Sequence, residues 1–232
     1  MLTQERRNLP QRPYAVPDYK ISPSSASIAT TNHSPSNMPR IALILGSTRT
    51  PSAGPVLAGM ITSIFTPLLP ADTSLTTIDL KEHPIPLYTS GAPPAGLKGD
   101  NPYPDAQTNA WSALIRSFDG FIFLTPQYNW GFPAPLKLAL DALYHEWKAK
   151  PALVVSYGSH GGGKGNAQLR QVLTGLHMRL CDKFVELEFA KAHDLAGGEI
   201  EKETEEKWRA EEKRKELKQA WEVFVASFTA AA

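Results

Sequence analysis

The sequence predicts an α/β fold, a parallel sheet covered on both faces by helices and joined by right-handed crossovers. Three observations carry this. Short continuous apolar runs recur at RIALIL (40–45), GFIFLT (120–125) and ALVVSYG (152–158), the pattern of strands buried on both faces. Between them lie stretches with apolar residues every three or four positions, the period of a helix packed along one side. Each run ends in a loop rich in Gly, Ser, Asn or aromatic residues before a helical pattern resumes, the order that an alternating sheet-and-helix fold repeats.

Residues 1–39 are rich in Pro, Ser, Thr and Asn without apolar period, so they read as a disordered N-terminal extension. Arg6, Arg7 and Arg12 raise the alternative of an organelle transit peptide, but Glu5, Asp18 and five prolines before position 36 oppose an amphipathic helix. One domain, 40–232, follows. Its first strand, RIALIL, breaks at GSTRTPSAG before a helix carrying Val56, Leu57, Met60, Ile61 and Ile64. A weaker strand, SLTTIDL (74–80), leads into a Pro-rich stretch from His83 to Pro104, long enough to suggest a functional or interface loop. A helix over Ala106–Phe118 and the strand GFIFLT come next. Pro135 then opens a helix to about Lys148, since proline suits a first helical turn, and Pro151 blocks its continuation.

After ALVVSYG and the loop SHGGGKGN, a helix is expected over AQLRQVLTGLHMRL, then a last strand, KFVELEF (183–189). From Glu199 to Phe228 a charged stretch becomes an amphipathic helix with Leu217, Trp221, Phe224, Val225 and Phe228 on its apolar side. Glu203 with Lys207, and Glu211 with Lys215, are spaced to pair on its solvated face. Trp208 is placed outside the packed portion, which leaves a partner-binding role open for this helix.

Composition limits function. With 232 residues, 42% of them apolar, and a formal charge of +1, there is core enough for one domain and no general attraction to nucleic acid or an acidic membrane. No apolar run reaches the ~20 residues that span a bilayer. Cys181 is the only cysteine, which excludes an internal disulfide and fits a reducing, cytoplasmic compartment. It reads as apolar filler rather than a reactive thiol.

Chemistry concentrates in three loops at strand C-termini, the edge where open parallel sheets bind ligands. The first, GSTRTPSAG, offers Ser47, Thr48 and Ser52 hydroxyls and the Arg49 cation just before a helix N-terminus, a setting that favours a phosphate dianion. It matches neither GxGxxG nor GxxxxGK[ST], so a dinucleotide fingerprint and a P-loop are disfavoured. The second, PQYNWGFP (126–133), exposes backbone and aromatic surface. The third, GSHGGGKGN (158–166), has five glycines that permit close approach of something flat or large. There His160 is either a donor to a ring carbonyl or a solvated loop residue, and Lys164 either a solvated cation or a phosphate contact.

GSTR after the first strand, PQYNWGFPAPLKLALD after a middle one and YGSHGGG after a later one together resemble the NAD(P)H-dependent FMN reductase family, nearest its fungal quinone reductases. The middle motif is specific, with Pro126, Tyr128, Asn129, Pro133, Leu136, Lys137, Ala139 and Asp141 at the family's positions. The resemblance, over roughly 40–189, implies a flavodoxin-like doubly wound sheet of five strands, order 2-1-3-4-5, with noncovalent FMN. It assigns Ser47, Thr48, Arg49 and Ser52 to the FMN phosphate. Pro126, Gln127, Tyr128, Asn129, Trp130 and Gly131, with Gly158, Ser159, His160 and Gly161, would flank the isoalloxazine. Gln127, Leu138, Trp130 and Phe132 depart from what many members carry. No catalytic side chain and no metal ligand is implied.

The function implied is transfer of hydride from NADH or NADPH through FMN, in a ping-pong cycle, to a quinone or similar small electron acceptor. A flavodoxin-like electron carrier is the alternative, against which the near-neutral charge counts, and a redox-responsive flavin-binding regulatory module is another. The family also implies a homodimer or homotetramer, for which Tyr144 and Trp147 offer an aromatic face that could equally belong to the core.

Overall fold

The computed structural model describes residues 39–191 and 200–229. The expected extension therefore lies, apart from Pro39, outside the described residues.

Four parallel strands, β1 (Arg40–Leu45), β2 (Ser74–Asp79), β3 (Gly120–Pro126) and β4 (Pro151–Gly158), form the sheet in the order β2-β1-β3-β4. The fifth position is shared by two short pieces, β5 (Arg179–Leu180) and β6 (Val185–Glu188), both parallel to β4. The order is thus the expected 2-1-3-4-5, with the last strand split. β5 arises because Arg179 and Cys181 donate their N–H groups to Lys150 and Ala152 at 2.9 Å each. KFVELEF contributes only its middle, Val185–Glu188.

Side chains alternate across the central strands, so each strand feeds two cores. Ile41, Leu43, Ile122, Leu124, Leu153 and Val155 face one side, where α1 (Gly54–Phe65) and the C-terminal helices pack. Ala42, Ile44, Phe121, Phe123, Ala152 and Val154 face the other, against α2 (Ala106–Arg116), α3 (Ala134–Asp141) and α4 (Gly163–Gly175). β1, β3 and β4 are buried almost throughout, whereas edge strand β2 is mostly exposed.

Five expectations are corrected. α3 stops at Asp141 rather than Lys148 because Trp147 turns inward to the core: it is fully buried, meets Phe121 at 5.0 Å between ring centroids, and donates Nε1–H to the Leu140 carbonyl. Tyr144 N–H also points to the buried Glu146 carboxylate at 3.4 Å, and Ala149 takes φ +61°. Trp147 therefore belongs to this chain's own core. α4 begins inside the glycine loop, not at Ala167, and ends at Gly175.

The charged C-terminal stretch is two helices, α5 (Lys202–Arg209) and α6 (Glu211–Thr229), broken where Ala210 adopts ψ 145°. Trp208 lies in the packed portion after all, 1% exposed, its Nε1–H held by the Glu188 carbonyl at 2.8 Å. Lys207 pairs with Glu188 of β6, not with Glu203. α6 packs as expected through Leu217, Trp221 and Phe224, with Trp221 stacked on Phe65 of α1 at 4.7 Å. Cys181 is buried, and burial pushes its thiol up to about 11, so filler is the role it has.

Candidate functional site

β1, β3 and β4 all point their C-termini to one edge, and the three loops expected to carry chemistry meet there. Between them lies a cleft of about 480 Å³, within the range of small-molecule sites. Arg49, Ser52, Pro126, Gln127, Tyr128, Gly158 and Ser159, all expected from the sequence, line it.

The first loop is built around its serines. Ser47 is buried, and its Oγ both accepts from Arg49 N at 3.3 Å and lies 2.6 Å from the Tyr128 hydroxyl. Ser52 Oγ accepts from Gly54 N at the start of α1. The Arg49 guanidinium rests 3.5 Å from the centroid of the Tyr128 ring, a cation–π contact that holds a charge at the cleft. Thr48 instead faces a second cleft, of about 890 Å³, on the far side of this loop. Leu80, His83, Ile85, Phe132 and Leu138 bound that space, so part of the long Pro-rich loop walls it. Burial lowers the pKa of His83 there, against the pull of Glu82 and Asp79.

The rest of that loop is tied down by Glu146, which is 2% exposed. Its carboxylate accepts from the Tyr103 hydroxyl (2.9 Å), Ser112 Oγ (2.6 Å) and Arg116 Nε (3.2 Å). Burial pushes the Glu146 pKa up, but these donors and the Arg116 charge outweigh it and leave it below the ordinary carboxylate value.

The second loop leaves β3 through a tight turn. Tyr128 N donates to Gly131 O at 2.8 Å and Gly131 N to Tyr128 O at 3.0 Å, with Asn129 at φ +47° and Trp130 at φ +68°, the pattern of a type I′ turn. Asn129 and Trp130 stand exposed at its tip, outside the cleft lining. Gln127 does something the sequence did not suggest. Its side-chain Oε1 accepts from Lys164 N (2.8 Å) and Gly165 N (3.2 Å), satisfying two of the orphan amides at the start of α4.

The third loop enters α4 through Gly161 and Gly162, at φ +70° and +79°. A Cβ on Gly162 would lie 2.8 Å from the Tyr157 carbonyl oxygen, so only glycine fits this turn. Ser156 Oγ, accepting from Asn166 Nδ2 and donating to Gly161 O at 2.8 Å, fixes it from below. Gly161 is buried, whereas the His160 side chain is 95% exposed and faces Glu188 at 3.9 Å, away from the cleft lining.

Sequence reasoning missed Thr50, Pro51, Ala53, Tyr157 and Phe189 of the lining. Tyr157 matters most. It is 2% exposed, and among the described residues nothing stands at hydrogen-bond geometry to its hydroxyl. Burial raises its pKa above the usual 10, while the nearby Ser52 and Ser47 hydroxyls pull the other way. A buried phenol whose nearest hydroxyls, Ser52 and Ser47, stand outside good hydrogen-bond geometry is costly, and here it sits at a cleft that also presents Arg49 and Ser52. A hydroxyl donor, a serine and a guanidinium suit an anionic oxygen cluster, and Pro126, Tyr128 and Phe189 supply apolar wall. The residues present fit a phosphate carried on a planar, partly apolar group.

Comparison with known proteins decides which group. Residues 39–192 match the model of the family described as NADPH-dependent FMN reductase. The chain belongs to this family. With it come FMN as cofactor and NADH or NADPH as hydride donor. Among similar proteins, an NAD(P)H-dependent FMN reductase of Saccharomyces cerevisiae is 42% identical over 146 residues, covering 61% of this chain and 76% of the relative. A probable NADPH:quinone oxidoreductase of Oryza sativa is 31% identical over 163 residues, covering 66% and 72%. Among solved structures, the flavoenzyme NAD(P)H:(acceptor) oxidoreductase FerB of Paracoccus denitrificans superposes with a TM-score of 0.56 at 20% identity, over 83% of this chain and 98% of that one. That similarity speaks to the flavodoxin-like fold of the reductase family alone.

Proposed function

We propose that the chain reduces a quinone, or a similar small acceptor, at the expense of NADH or NADPH, in a ping-pong cycle at the cleft between the three loops. One observation carries the reading: the orphaned Tyr157 hydroxyl lies at the same cleft as Arg49 and Ser52, so a polar group awaits an anionic partner where the family would place its cofactor phosphate. FMN bound there would supply the redox chemistry, taking hydride from the nicotinamide and handing electrons to the acceptor.

The chain's own residues bind and orient. Arg49, pinned on the Tyr128 ring, presents a fixed charge to the phosphate, and Ser52 and Tyr157 add hydroxyl donors. Pro126 to Tyr128 and Gly158 to Ser159, which line the cleft, would flank the ring. Asn129, Trp130, Gly131, His160 and Gly161 shape or border those walls from outside. The quinone acceptor is supported by the relative in Oryza sativa that carries that activity in its name. A dimer or tetramer belongs to the same reading, with exposed Leu87 and the apolar edge of the wider cleft as available area. A cytoplasmic location accords with the lone, buried Cys181.

The test is direct. Purified protein offered FMN should retain the yellow flavin absorbance through gel filtration, bleach anaerobically with NADPH or NADH, and recover colour on adding a simple quinone. No retained flavin, or no bleaching, sinks the proposal.

A further inference from the structure

Trp130 stands where neither the core nor the cleft accounts for it. It is 74% exposed, second only to Leu87 among the large apolar side chains of the described residues. Its φ of +68° lies in a region that disfavours bulky residues, at a turn position where glycine is preferred. The turn has little room to relax. The paired Tyr128 and Gly131 bonds close it, Phe132 N donates to Gln168 Oε1 at 3.3 Å, and Gln127 fastens it to α4. Backbone strain of this kind, held by surrounding structure, points to a use for the side chain that causes it.

The surroundings narrow that use. The single ring contact of Trp130 among the described residues is with Lys164, whose Nζ lies 5.3 Å from the ring centroid. Among the described residues no carboxylate pairs with Lys164. A flat apolar face and an ammonium outside ion-pair distance of any described carboxylate therefore stand side by side, on the rim of the site but outside the cleft lining. A ligand meeting both must be planar and anionic, and must reach from the rim to the reacting centre. A simple quinone has neither phosphate nor reach. A nicotinamide dinucleotide has a second base, phosphates between its two ends, and the length to put one base on the rim while the other enters the cleft.

We propose that Trp130 and Lys164 dock the adenine end of the nicotinamide donor, the indole face stacking on the base and the Lys164 ammonium contacting phosphate. The pair sets donor affinity without touching the flavin. This rests on the reading of the adjoining cleft as the flavin site.

The experiment uses FMN-loaded full-length protein. Trp130→Ala should raise the KM for NADPH about tenfold, the scale of one aromatic–base stack, with the change falling on KM rather than kcat, the quinone KM unmoved and flavin retained. Trp130→Phe should recover most of the loss. Lys164→Ala should weaken donor binding and flatten its dependence on salt. Trp130→Gly should raise the melting temperature by relieving the turn while it raises the donor KM, a combination that a purely structural role would not produce. An unchanged donor KM in Trp130→Ala overturns the proposal, as does loss of flavin, which would place Trp130 in the cofactor site, or a raised quinone KM alone. Calorimetry with NADP+ on flavin-free protein, wild type against Trp130→Ala, reads the same contact independently. If wild-type protein holds no flavin yet binds NADP+ through Trp130, the cleft reading fails and only the contact of Trp130 with the dinucleotide stands.

Discussion

The Tyr128 hydroxyl lies 2.6 Å from Ser47 Oγ, and the guanidinium of Arg49 lies 3.5 Å from the centroid of the same Tyr128 ring. One side chain from the loop after β3 thus bolts down the loop after β1 twice, by its oxygen and by its face. The consequence is electrostatic. Arg49 would otherwise be a long, exposed, mobile cation; resting on the ring, it loses little further rotamer freedom when an anion arrives.

Arg49→Ala should therefore lower FMN affinity about ten- to a hundredfold, the range for losing a charge-assisted contact. Tyr128→Phe keeps the ring under Arg49 and removes only the Ser47 bond, so its effect should be a few-fold at most. Titration of flavin fluorescence against each variant checks the ranking, and a larger loss from Tyr128→Phe would mean that the hydroxyl itself serves the ligand.

Tyr157→Phe should have opposite effects on two measurements. In flavin-free protein it deletes a buried hydroxyl that lacks a partner, so stability should hold or rise by about 1 kcal/mol. In loaded protein it deletes a donor to the phosphate, so FMN affinity should fall about tenfold. Thermal melts with and without FMN separate the two; a flavin-free variant less stable than wild type would show that the hydroxyl already has a structural partner.

Gly165→Ala tests how the second loop depends on α4. A Cβ at Gly165 would lie 3.0 Å from the Gly131 carbonyl oxygen and 3.3 Å from Gln127 Cα, both backbone atoms that cannot swing aside. The expected cost is roughly 1–3 kcal/mol of stability, with weaker flavin binding because the β3 loop is pushed off its place. Urea unfolding and flavin titration of the variant would show both; loss of stability with full flavin affinity would mean that the loop reaches its working position without α4.

What the sequence made legible follows from how local each signal is. β1, β3 and β4 could be read because strands buried on both faces must be apolar runs, and the three loops that meet at the cleft because glycines and hydroxyls cluster where strands end. The early stop of α3 could not, because it depends on Trp147 and Glu146 finding partners in Phe121, Tyr103, Ser112 and Arg116, residues distant in the chain. Tyr157 was hidden for a different reason: a tyrosine within an apolar strand reads as core, and only the structure shows its hydroxyl without a partner. Gln127 looked like a ring contact because the resemblance set it among ring contacts, while its side chain serves the start of α4.

Glu146 should govern acid stability where the end of the Pro-rich loop joins α2. Its folded pKa is depressed by its donors, so its stabilising effect is present above the unfolded value of ~4.3 and is lost as pH falls through the folded one. Glu146→Gln should cost about 2 kcal/mol at pH 7. The gap in melting temperature between variant and wild type should then narrow as pH is lowered from about 5 toward 3. A gap that stays constant over that range would show that the loss is one of packing, not of charge.

Asn129 carries the sharpest remaining question, since the family motif names it and the turn alone also explains it. Asn tolerates the left-handed φ of +47° that the first central position of this turn demands. Leucine there would be strained, so a loss of flavin in Asn129→Leu would not distinguish a side-chain contact from a displaced loop. Asn129→Gly does, because glycine keeps the turn and removes the amide. The exposed position of Asn129, outside the cleft lining, leads to a definite expectation. Asn129→Leu should lower both stability, by about 1 kcal/mol, and flavin affinity, whereas Asn129→Gly should leave flavin affinity within about threefold of wild type, less than the loss of one hydrogen bond of typical strength. Should the glycine variant lose FMN as severely as the leucine one, the amide itself must reach the flavin, and the β3 loop must close over its ligand further than its resting geometry shows.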